Sequence, residues 1–443
     1  MIKMKSSGVE WIGEIPDEWE VWKVKHAFIR KNEKAMQENP TILSLARSGV
    51  KERDISNNEG QLAESYYNYN PVEIDDLLIN PMDLYSGANC SISKVKGVIS
   101  PAYINLKAKK GISPVFYDYY FKVQYWLMAF FAHGNGVSFE NRWTLNNETL
   151  QNYPIVAPSF ETQQRIASYL DSKCSKIEET IQNQQQVIEK LKAYKQSLIT
   201  EAVTGKVKIE NGKVCGEYES YKDSGVEWIG KIPSEWVCVQ IKNIFRFLGG
   251  YAFNSEDYVD ETEYQILRIG NVKDFKILFD ASPVYISKET AFQVENFKLR
   301  PSYILFTMTG TRGKKDYFYT HEITKDDCKK KNIYLNQRVG CLIPKTDIDS
   351  SYFNYLLKDN LIKDSVFLNE TGTANQANIG SEDVMKIKVH CPPKEAQKEI
   401  ASYLDKKCTV IDTAIEQKQE LIVKLTEYKK SLIYECVTGK KEI

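Results

Sequence analysis

Residues 161–207, ETQQRIASYLDSKCSKIEETIQNQQQVIEKLKAYKQSLITEAVTGKV, recur at 395–441 as EAQKEIASYLDKKCTVIDTAIEQKQELIVKLTEYKKSLIYECVTGKK, with 26 of 47 positions identical and no gap. A shorter block, SGVEWIGEIPDEWEVWKVKHAF at 7–28, returns at 224–245 as SGVEWIGKIPSEWVCVQIKNIF, with 13 of 22 positions identical. We call these the long repeat and the short repeat. Such ungapped identity indicates a duplicated chain, so we expect two similar halves related by a pseudo-two-fold axis.

The long repeat predicts a long helix with one apolar stripe. Its apolar residues alternate at steps of three and four, the 3.5-residue period of a coiled coil. About 40 helical residues span about 60 Å, and we expect the two copies to pair antiparallel, with Gly205 and Gly439 ending the helices. An alternative is a generic dimerisation coiled coil. The predicted seam of the helix pair consists of Leu170, Ile177, Ile181, Ile188, Leu191, Leu198, Leu404, Ile411, Ile415, Ile422, Leu425 and Leu432.

The regions between the repeats diverge from each other. We call residues 29–157 the first variable region and residues 246–391 the second variable region, which is 17 residues longer. Both mix short β-rich runs such as ILSLA and YQILRI with helical stretches such as VFYDYYFKVQYW. They lack the regular βαβ alternation of a nucleotide-binding fold. The predicted fold class is therefore mixed α/β, in the α+β sense, with two globular domains separated by two long antiparallel coiled-coil helices.

These patterns predict five segments. The first comprises an N-terminal block and a globular domain, the second is a helix, the third is a linker, and the last two repeat the first two. Their boundaries are 1–157, 158–205, 206–223, 224–391 and 392–443.

Composition excludes several classes of protein. A chain with 42% hydrophobic and 27% charged residues is typical of a folded globular protein. No apolar run reaches the roughly 18 residues that a membrane helix needs. Nine scattered cysteines without a C-x-x-C pair, and only four histidines, predict neither structural zinc nor disulfides. We therefore expect a cytoplasmic protein without a membrane contact or a metal site.

Motifs of catalysis are also missing. The sequence contains no P-loop, no G-x-S-x-G and no H-E-x-x-H. Asn80-Pro81-Met82-Asp83 is similar to the Asn-Pro-Pro-aromatic motif of adenine methyltransferases, but it lacks the final aromatic residue, and no glycine-rich cofactor loop follows an early strand. A self-contained methyltransferase using these residues is the disfavoured alternative, and the sequence predicts a recognition protein with no catalytic residues.

Three loop clusters of the second variable region carry residue types that contact DNA: 309–315, 336–338 and 369–376. In the first variable region, segment 82–90 is the counterpart of 309–315 and segment 133–142 is the counterpart of 369–376. Arg favours guanine, Asn and Gln favour adenine, and Thr and Lys bind phosphates. Ordinary turns with these residues are the plainer interpretation of any one loop. The predicted DNA-binding residues are Arg47, Ser86, Asn89, Arg142, Thr309, Arg312, Lys314, Gln337, Thr373 and Gln376.

The doubled SGVEWIG block, the helix entries PSFETQQRIASYLD and PPKEAQKEIASYLDKK and the helix exits KQSLITEAVTGK and KKSLIYECVTGK together resemble the specificity subunit of type I restriction–modification enzymes. The resemblance covers essentially the whole chain. It implies two target recognition domains, each binding one half of a split asymmetric DNA sequence, with helices that act as a ruler.

The resemblance also implies partners. Two methyltransferase subunits would dock on the helices, two motor–nuclease subunits would join them, and S-adenosylmethionine, ATP and Mg²⁺ would bind those subunits. The alternative is a coiled-coil scaffold that binds proteins without DNA specificity. Lys plus Arg equals Asp plus Glu, 59 of each, although a DNA-binding protein usually has a basic surface. We therefore expect the isolated chain to bind DNA weakly.

Overall fold

The computed structural model describes residues 3–56, 63–82, 84–85, 89–136, 143–273, 276–345, 347–373 and 375–443. It divides into two compact units. The first unit comprises residues 1–185 and 418–443, and the second comprises residues 186–417. Both divisions fall inside a long helix, so each unit contains part of both long repeats.

The elements of the first half are short strands and short helices around two apolar clusters, followed by a long helix. The strands are β1 (Met4–Ser6), β2 (Glu14–Pro16), β3 (Glu20–Lys23), β4 (Phe28–Lys31), β5 (Leu43–Ala46), β6 (Gly49–Glu52), β7 (Asn70–Val72), β8 (Leu77–Ile79), β9 (Cys90–Ile92), β10 (Gly97–Ile99), β11 (Ile104–Ala108) and β12 (Pro154–Ala157). The helices are α1 (Val24–Ala27), α2 (Pro114–Trp126), α3 (Ala129–Ala132), α4 (Asn147–Asn152) and α5 (Phe160–Val203).

The second half repeats this order with additions. Its strands are β13 (Ile209–Glu210), β14 (Lys213–Val214), β15 (Tyr221–Asp223), β16 (Lys231–Pro233), β17 (Val237–Gln240), β18 (Phe245–Gly249), β19 (Tyr258–Val259), β20 (Tyr264–Leu267), β21 (Val272–Lys273), β22 (Lys276–Ile277), β23 (Val284–Ile286), β24 (Ile304–Thr307), β25 (Thr309–Gly310), β26 (Thr320–Glu322), β27 (Asn332–Leu335), β28 (Val339–Pro344), β29 (Thr371–Gly372), β30 (Ala377–Asn378) and β31 (Lys388–Cys391). Its helices are α6 (Ile241–Ile244), α7 (Lys288–Gln293), α8 (Lys325–Lys330), α9 (Ser350–Leu356), α10 (Asn360–Phe367), α11 (Ser381–Lys386) and α12 (Lys394–Val437), with 3₁₀ turns at Ser255–Asp257, Ile269–Asn271 and Glu295–Phe297.

The two variable regions share a four-stranded antiparallel sheet. Its order is β4-β11-β8-β9 in the first and β18-β28-β24-β26 in the second, with equivalent strands at equivalent places. A further antiparallel pair closes each region onto its short repeat, β3 with β12 and β17 with β31. These ladders confirm the predicted mixed α/β class and the duplication.

The second variable region gains most of its extra length beside this shared sheet. There β19, β23, β20 and β27 form a second sheet, in which β20 runs parallel to β27. In the described part of the first variable region, the corresponding place has the parallel bridge from Ile42 to Val98, beside the hairpin of β5 and β6 and the antiparallel pair of β7 and β10. Surfaces next to the shared sheet therefore differ between the two halves.

Both long repeats form single helices of 44 residues, α5 and α12. As predicted, a glycine follows the C-terminal end of each long helix. Gly205 and Gly439 adopt left-handed φ angles of 72° and 73°, which residues with a side chain disfavour. A Cβ atom on Gly439 would lie 2.3 Å from the Pro16 ring, and one on Gly205 would lie 2.6 Å from the Pro233 ring. The end of each long helix is thus packed tightly against a short repeat.

The helices pair antiparallel inside each unit. In the first unit Lys429 contacts Glu178 at 2.5 Å, while Lys418 donates to Gln184. In the second unit Lys195 pairs with Asp412 at 2.6 Å. All twelve predicted seam residues lie at buried or half-buried positions of these helices. Of the described helices, none is long and apolar enough to cross a membrane.

Candidate nucleic-acid interface

The three loop clusters predicted in the second variable region meet at one edge of that region. Strand β25 pairs with β30, and β30 pairs with β29, so the loops at 309–315 and 369–376 belong to one small sheet. The third loop joins them because the Arg338 carbonyl accepts a hydrogen bond from the Met308 amide at 3.3 Å. Segments separated by up to about 70 residues in sequence therefore form one continuous surface.

Most of the predicted side chains on this surface are exposed. Arg312 and Lys314 point from one loop, and within the described ranges neither forms an ion pair. Thr309 is half-buried, and its hydroxyl is enclosed without a hydrogen-bond partner among the described residues. The remaining predicted residues are exposed polar side chains, namely Gln337, Thr373 and Gln376.

Acidic side chains hold the loop of Arg312 in shape. The Asp316 carboxylate accepts the Thr311 amide at 2.6 Å, and this backbone hydrogen bond lowers the pKa of Asp316. Glu370 accepts the Gly313 amide and the Tyr317 hydroxyl, at 3.3 and 3.0 Å. Because burial raises the pKa of Tyr317, its hydroxyl remains a neutral donor. These bonds order the loop backbone while Arg312 and Lys314 face solvent.

Lys315 differs from its neighbours in that loop. Its ammonium pairs with Asp364 at 2.6 Å and lies 5.7 Å from the centre of the Phe367 ring. This lysine is anchored to α10, whereas Arg312 and Lys314 remain available for phosphates or base edges.

The first variable region presents a different surface. Arg47 is exposed at the turn of the β5–β6 hairpin, and its neighbour Ala46 accepts a 2.6 Å hydrogen bond from the Asn89 side chain. Asn89 is half-buried and joins the start of β9 to the hairpin, so its side chain has a structural role in addition to the predicted contact with DNA. The predicted Ser86 and Arg142, together with Asp83 of the methyltransferase-like motif, lie outside the described residues.

Asn80 and Pro81 serve packing inside the first variable region. The Asn80 side chain accepts the Met82 amide at 3.0 Å, and the Asn80 carbonyl accepts the Tyr125 hydroxyl at 2.7 Å. The Pro81 carbonyl accepts the Leu145 amide. A base-binding pair in a methyltransferase must leave these groups for a flipped adenine, so the geometry does not favour the catalytic alternative.

Arg338 is a candidate that the sequence reasoning passed over. It is exposed and stands beside Gln337 on the same turn, next to the Met308 backbone. The signal was present, because the cluster Asn336-Gln337-Arg338 contains an arginine. Only the folded loops show that this arginine lies on the same surface as Arg312.

Comparisons with known proteins agree with this architecture. Residues 233–425 match the family model described as the type I restriction modification DNA specificity domain. The MjaVIII specificity subunit of Methanocaldococcus jannaschii is 26% identical over 375 residues, 82% of this chain and 80% of that protein. The EcoBI specificity subunit of Escherichia coli is 21% identical over 392 residues, 86% of this chain and 76% of that protein.

A solved structure has a similar fold. It comes from a study of complex assembly and conformational transition of the type I R-M system, and it superposes with a TM-score of 0.68 at 13% identity, over 96% of this chain and 99% of that one. At this identity the likeness shows the fold alone.

Fold, loops and relatives together define a DNA-recognition protein. More narrowly, residues 233–425 match the DNA specificity domain of type I restriction–modification systems, and the chain as a whole is similar to specificity subunits of such systems.

Proposed function

We propose that each variable region binds one half of a bipartite DNA target and that the two half-sites differ in sequence. The convergence of three exposed polar loops on the second variable region carries the proposal. Such loops combine an ordered backbone with Arg, Lys, Thr and Gln side chains, the groups that bind phosphates and base edges. The first variable region presents a hairpin instead, so the target is asymmetric.

The long helices set the gap between the half-sites. The continuity of α5 supports this role of the helices, because the same helix contributes residues 160–185 to the first unit and residues 186–203 to the second. Major-groove readers on one face of a duplex dock about 34–36 Å apart, one helical turn. Lengthening both helices by one heptad, after Gln185 and after Gln417, adds about 10 Å. The expected result is a gap about three base pairs longer, with both half-sites unchanged.

The helices also dock two methyltransferase subunits, and two motor–nuclease subunits complete the restricting complex in the cytoplasm. S-adenosylmethionine, ATP and Mg²⁺ bind those partners. The equal numbers of acidic and basic residues support a division of labour in which partners supply part of the phosphate contact. Since nonspecific affinity is mainly electrostatic, the isolated chain binds its target more weakly, and with a shallower salt dependence, than the complex. Equal affinity and equal salt slopes would refute this.

Arg312→Ala tests the loop surface directly. In the complex with methyltransferase, the change costs about 1–3 kcal/mol of binding and relaxes one position of one half-site if Arg312 contacts guanine. The matched control is Arg300→Ala, another exposed arginine, which precedes β24 while Arg312 follows it. Methylation assays on a library of duplexes measure both, and an identical pattern for Arg312→Ala and the wild type removes Arg312 from the interface.

A further inference from the structure

A buried glutamine joins each long helix to the variable region that precedes it. In the second unit, Gln397 accepts the Asp349 amide at 2.9 Å with its side-chain oxygen and donates to the Pro392 carbonyl at 2.8 Å. Asp349 is the N-cap of α9. The start of α9 is thereby attached to the start of α12.

A second bond joins the same two helices further along. The Tyr355 hydroxyl on α9 donates to the Asp405 carboxylate on α12 at 2.8 Å. Burial raises the pKa of Tyr355, so the phenol stays a neutral donor. Asp405 follows Gln397 by eight residues, which is about 12 Å along the axis of α12.

The first unit contains the same two attachments. Gln163 accepts the Ser113 amide at 2.8 Å and donates to the Pro158 carbonyl at 2.9 Å. The Tyr119 hydroxyl donates to Asp171 at 2.8 Å. Ser113 is the N-cap of α2, as Asp349 is of α9. Variable regions that have diverged in sequence thus keep the same pair of attachments to their helices.

Two attachments restrict the orientation of a domain more than one attachment does. A single hydrogen bond leaves a domain free to pivot about the bonded atoms, whereas two bonds about 12 Å apart fix its tilt along the helix. Each bond makes only a small net contribution to the stability of the fold, while the apolar cores hold the units folded. Removing one attachment is therefore expected to loosen orientation before it unfolds the domain.

We propose that Gln163 with the Tyr119–Asp171 pair, and Gln397 with the Tyr355–Asp405 pair, are positioning residues that fix the direction of each variable region on its long helix and so restrict the gap length that the complex accepts. This inference rests on the proposed function of the variable regions and helices. The two glutamines are buried and both tyrosine hydroxyls are bonded to carboxylates of the long helices, so these residues restrict the gap without changing the half-site sequences.

The test uses Tyr355→Phe and Gln397→Glu, alone and together, in the full chain bound to methyltransferase. Tyr355→Phe removes one hydroxyl, and Gln397→Glu removes the amide donor but keeps the acceptor. Duplexes carry both half-sites with the gap varied by about one or two base pairs. The expected result is a roughly 3- to 10-fold rise in methylation at incorrect gaps relative to the correct one, with unchanged half-site preference. Tyr428→Phe, which removes an exposed hydroxyl from the same helix, keeps the wild-type gap profile.

The outcomes separate the two proposals. If the wild-type complex has no preference for a bipartite sequence, the proposed function fails. If it has one, and the variants lose methylation equally at every gap, the attachments are merely structural and the positioning role is wrong. Tyr355→Phe alone decides the matter should the double variant not assemble, because deleting one hydroxyl leaves the packing of the ring intact.

Discussion

The two halves of the molecule hold an equivalent, half-buried lysine in different surroundings. In the first unit, Lys122 on α2 pairs with Asp118 at 2.6 Å. In the second unit, Lys358 occupies the equivalent place, three residues after Tyr355, but Asn354 stands where the first half has Asp118. Burial and the nearby Lys195 lower the pKa of Lys358 to about 8. Duplication kept the attachments between helix and domain while the charges around them diverged.

A second difference lies on the strands that close the variable regions. The third residue of β12 is Val156, whereas the third residue of β31 is His390. His390 is 2% exposed and stacks on Trp236, and burial lowers its pKa to about 4. The second unit therefore contains a titratable group in its core where the first has an apolar side chain, which makes the units unequal in their response to acid.

The largest loss of stability is expected from substitutions at a feature that the two halves share, the glycine after each long helix. Gly439→Ala and Gly205→Ala each place a methyl group in the left-handed conformation, at about 1–2 kcal/mol, and press it against a proline ring, at about 1–3 kcal/mol. We expect a loss of about 3 kcal/mol for each, measured by urea denaturation. Gly8→Ala is the control, because Gly8 has the same φ of 72° and no atom within 4 Å of the added carbon. Equal losses at Gly8 and Gly439 would show that the proline contact is unimportant.

His390→Val copies the first half into the second. The unfolded chain binds more protons than the native chain between pH 4 and 6.5, the folded and ordinary pKa values of this histidine. Stability from this group is thus complete above pH 6.5 and declines as the pH falls towards 4, by about 3 kcal/mol in total. Urea denaturation at both ends of this range should show a smaller acid loss in the variant. An unchanged acid loss would mean that His390 does not titrate in this way.

Asp118→Asn makes the first half resemble the second. Asp118 is buried and Lys122 is about one-third exposed, at 9% and 33% of their side chains. Since water screens Lys122 in part, we expect a loss of about 1–2 kcal/mol, below that of a fully buried pair. The reciprocal Asn354→Asp should raise the pKa of Lys358, which the NMR titration of that ammonium measures. No change in either quantity would show that the two sites are not equivalent.

The smallest effect concerns the ion pairs between the long helices. Lys195→Met and Lys429→Met remove partners of Asp412 and Glu178, which are 37% and 55% exposed. We expect each to cost less than about 1 kcal/mol, and less still at high salt. Lys195→Met should in addition raise the pKa of Lys358. A salt-independent loss above about 2 kcal/mol would contradict a minor role for these pairs.

The sequence predicted the elements that follow local rules. The period of the long repeat located both long helices, and the runs ILSLA, DDLLIN and YQILRI became β5, β8 and β20. The sequence did not predict the hydrogen bonds between distant segments of the chain, because the number of residues between those segments differs between the two halves. Gln397 to Asp349 and Tyr355 to Asp405 are hydrogen bonds between a repeated block and a diverged one. For the same reason the sequence did not reveal Arg338, whose place on the same surface as Arg312 depends on three loops folding together.

The most direct test of the account is the sequence that the complex methylates when one variable region alone is changed. Adenine methylation is mapped across the genome of cells that carry the wild-type chain or a chain with Arg312, Lys314 and Gln376 replaced by alanine. The account predicts that one half of a bipartite motif relaxes while the other half and the gap remain as they were. Relaxation of both halves together, or an unchanged motif, would contradict the assignment of one half-site to each variable region.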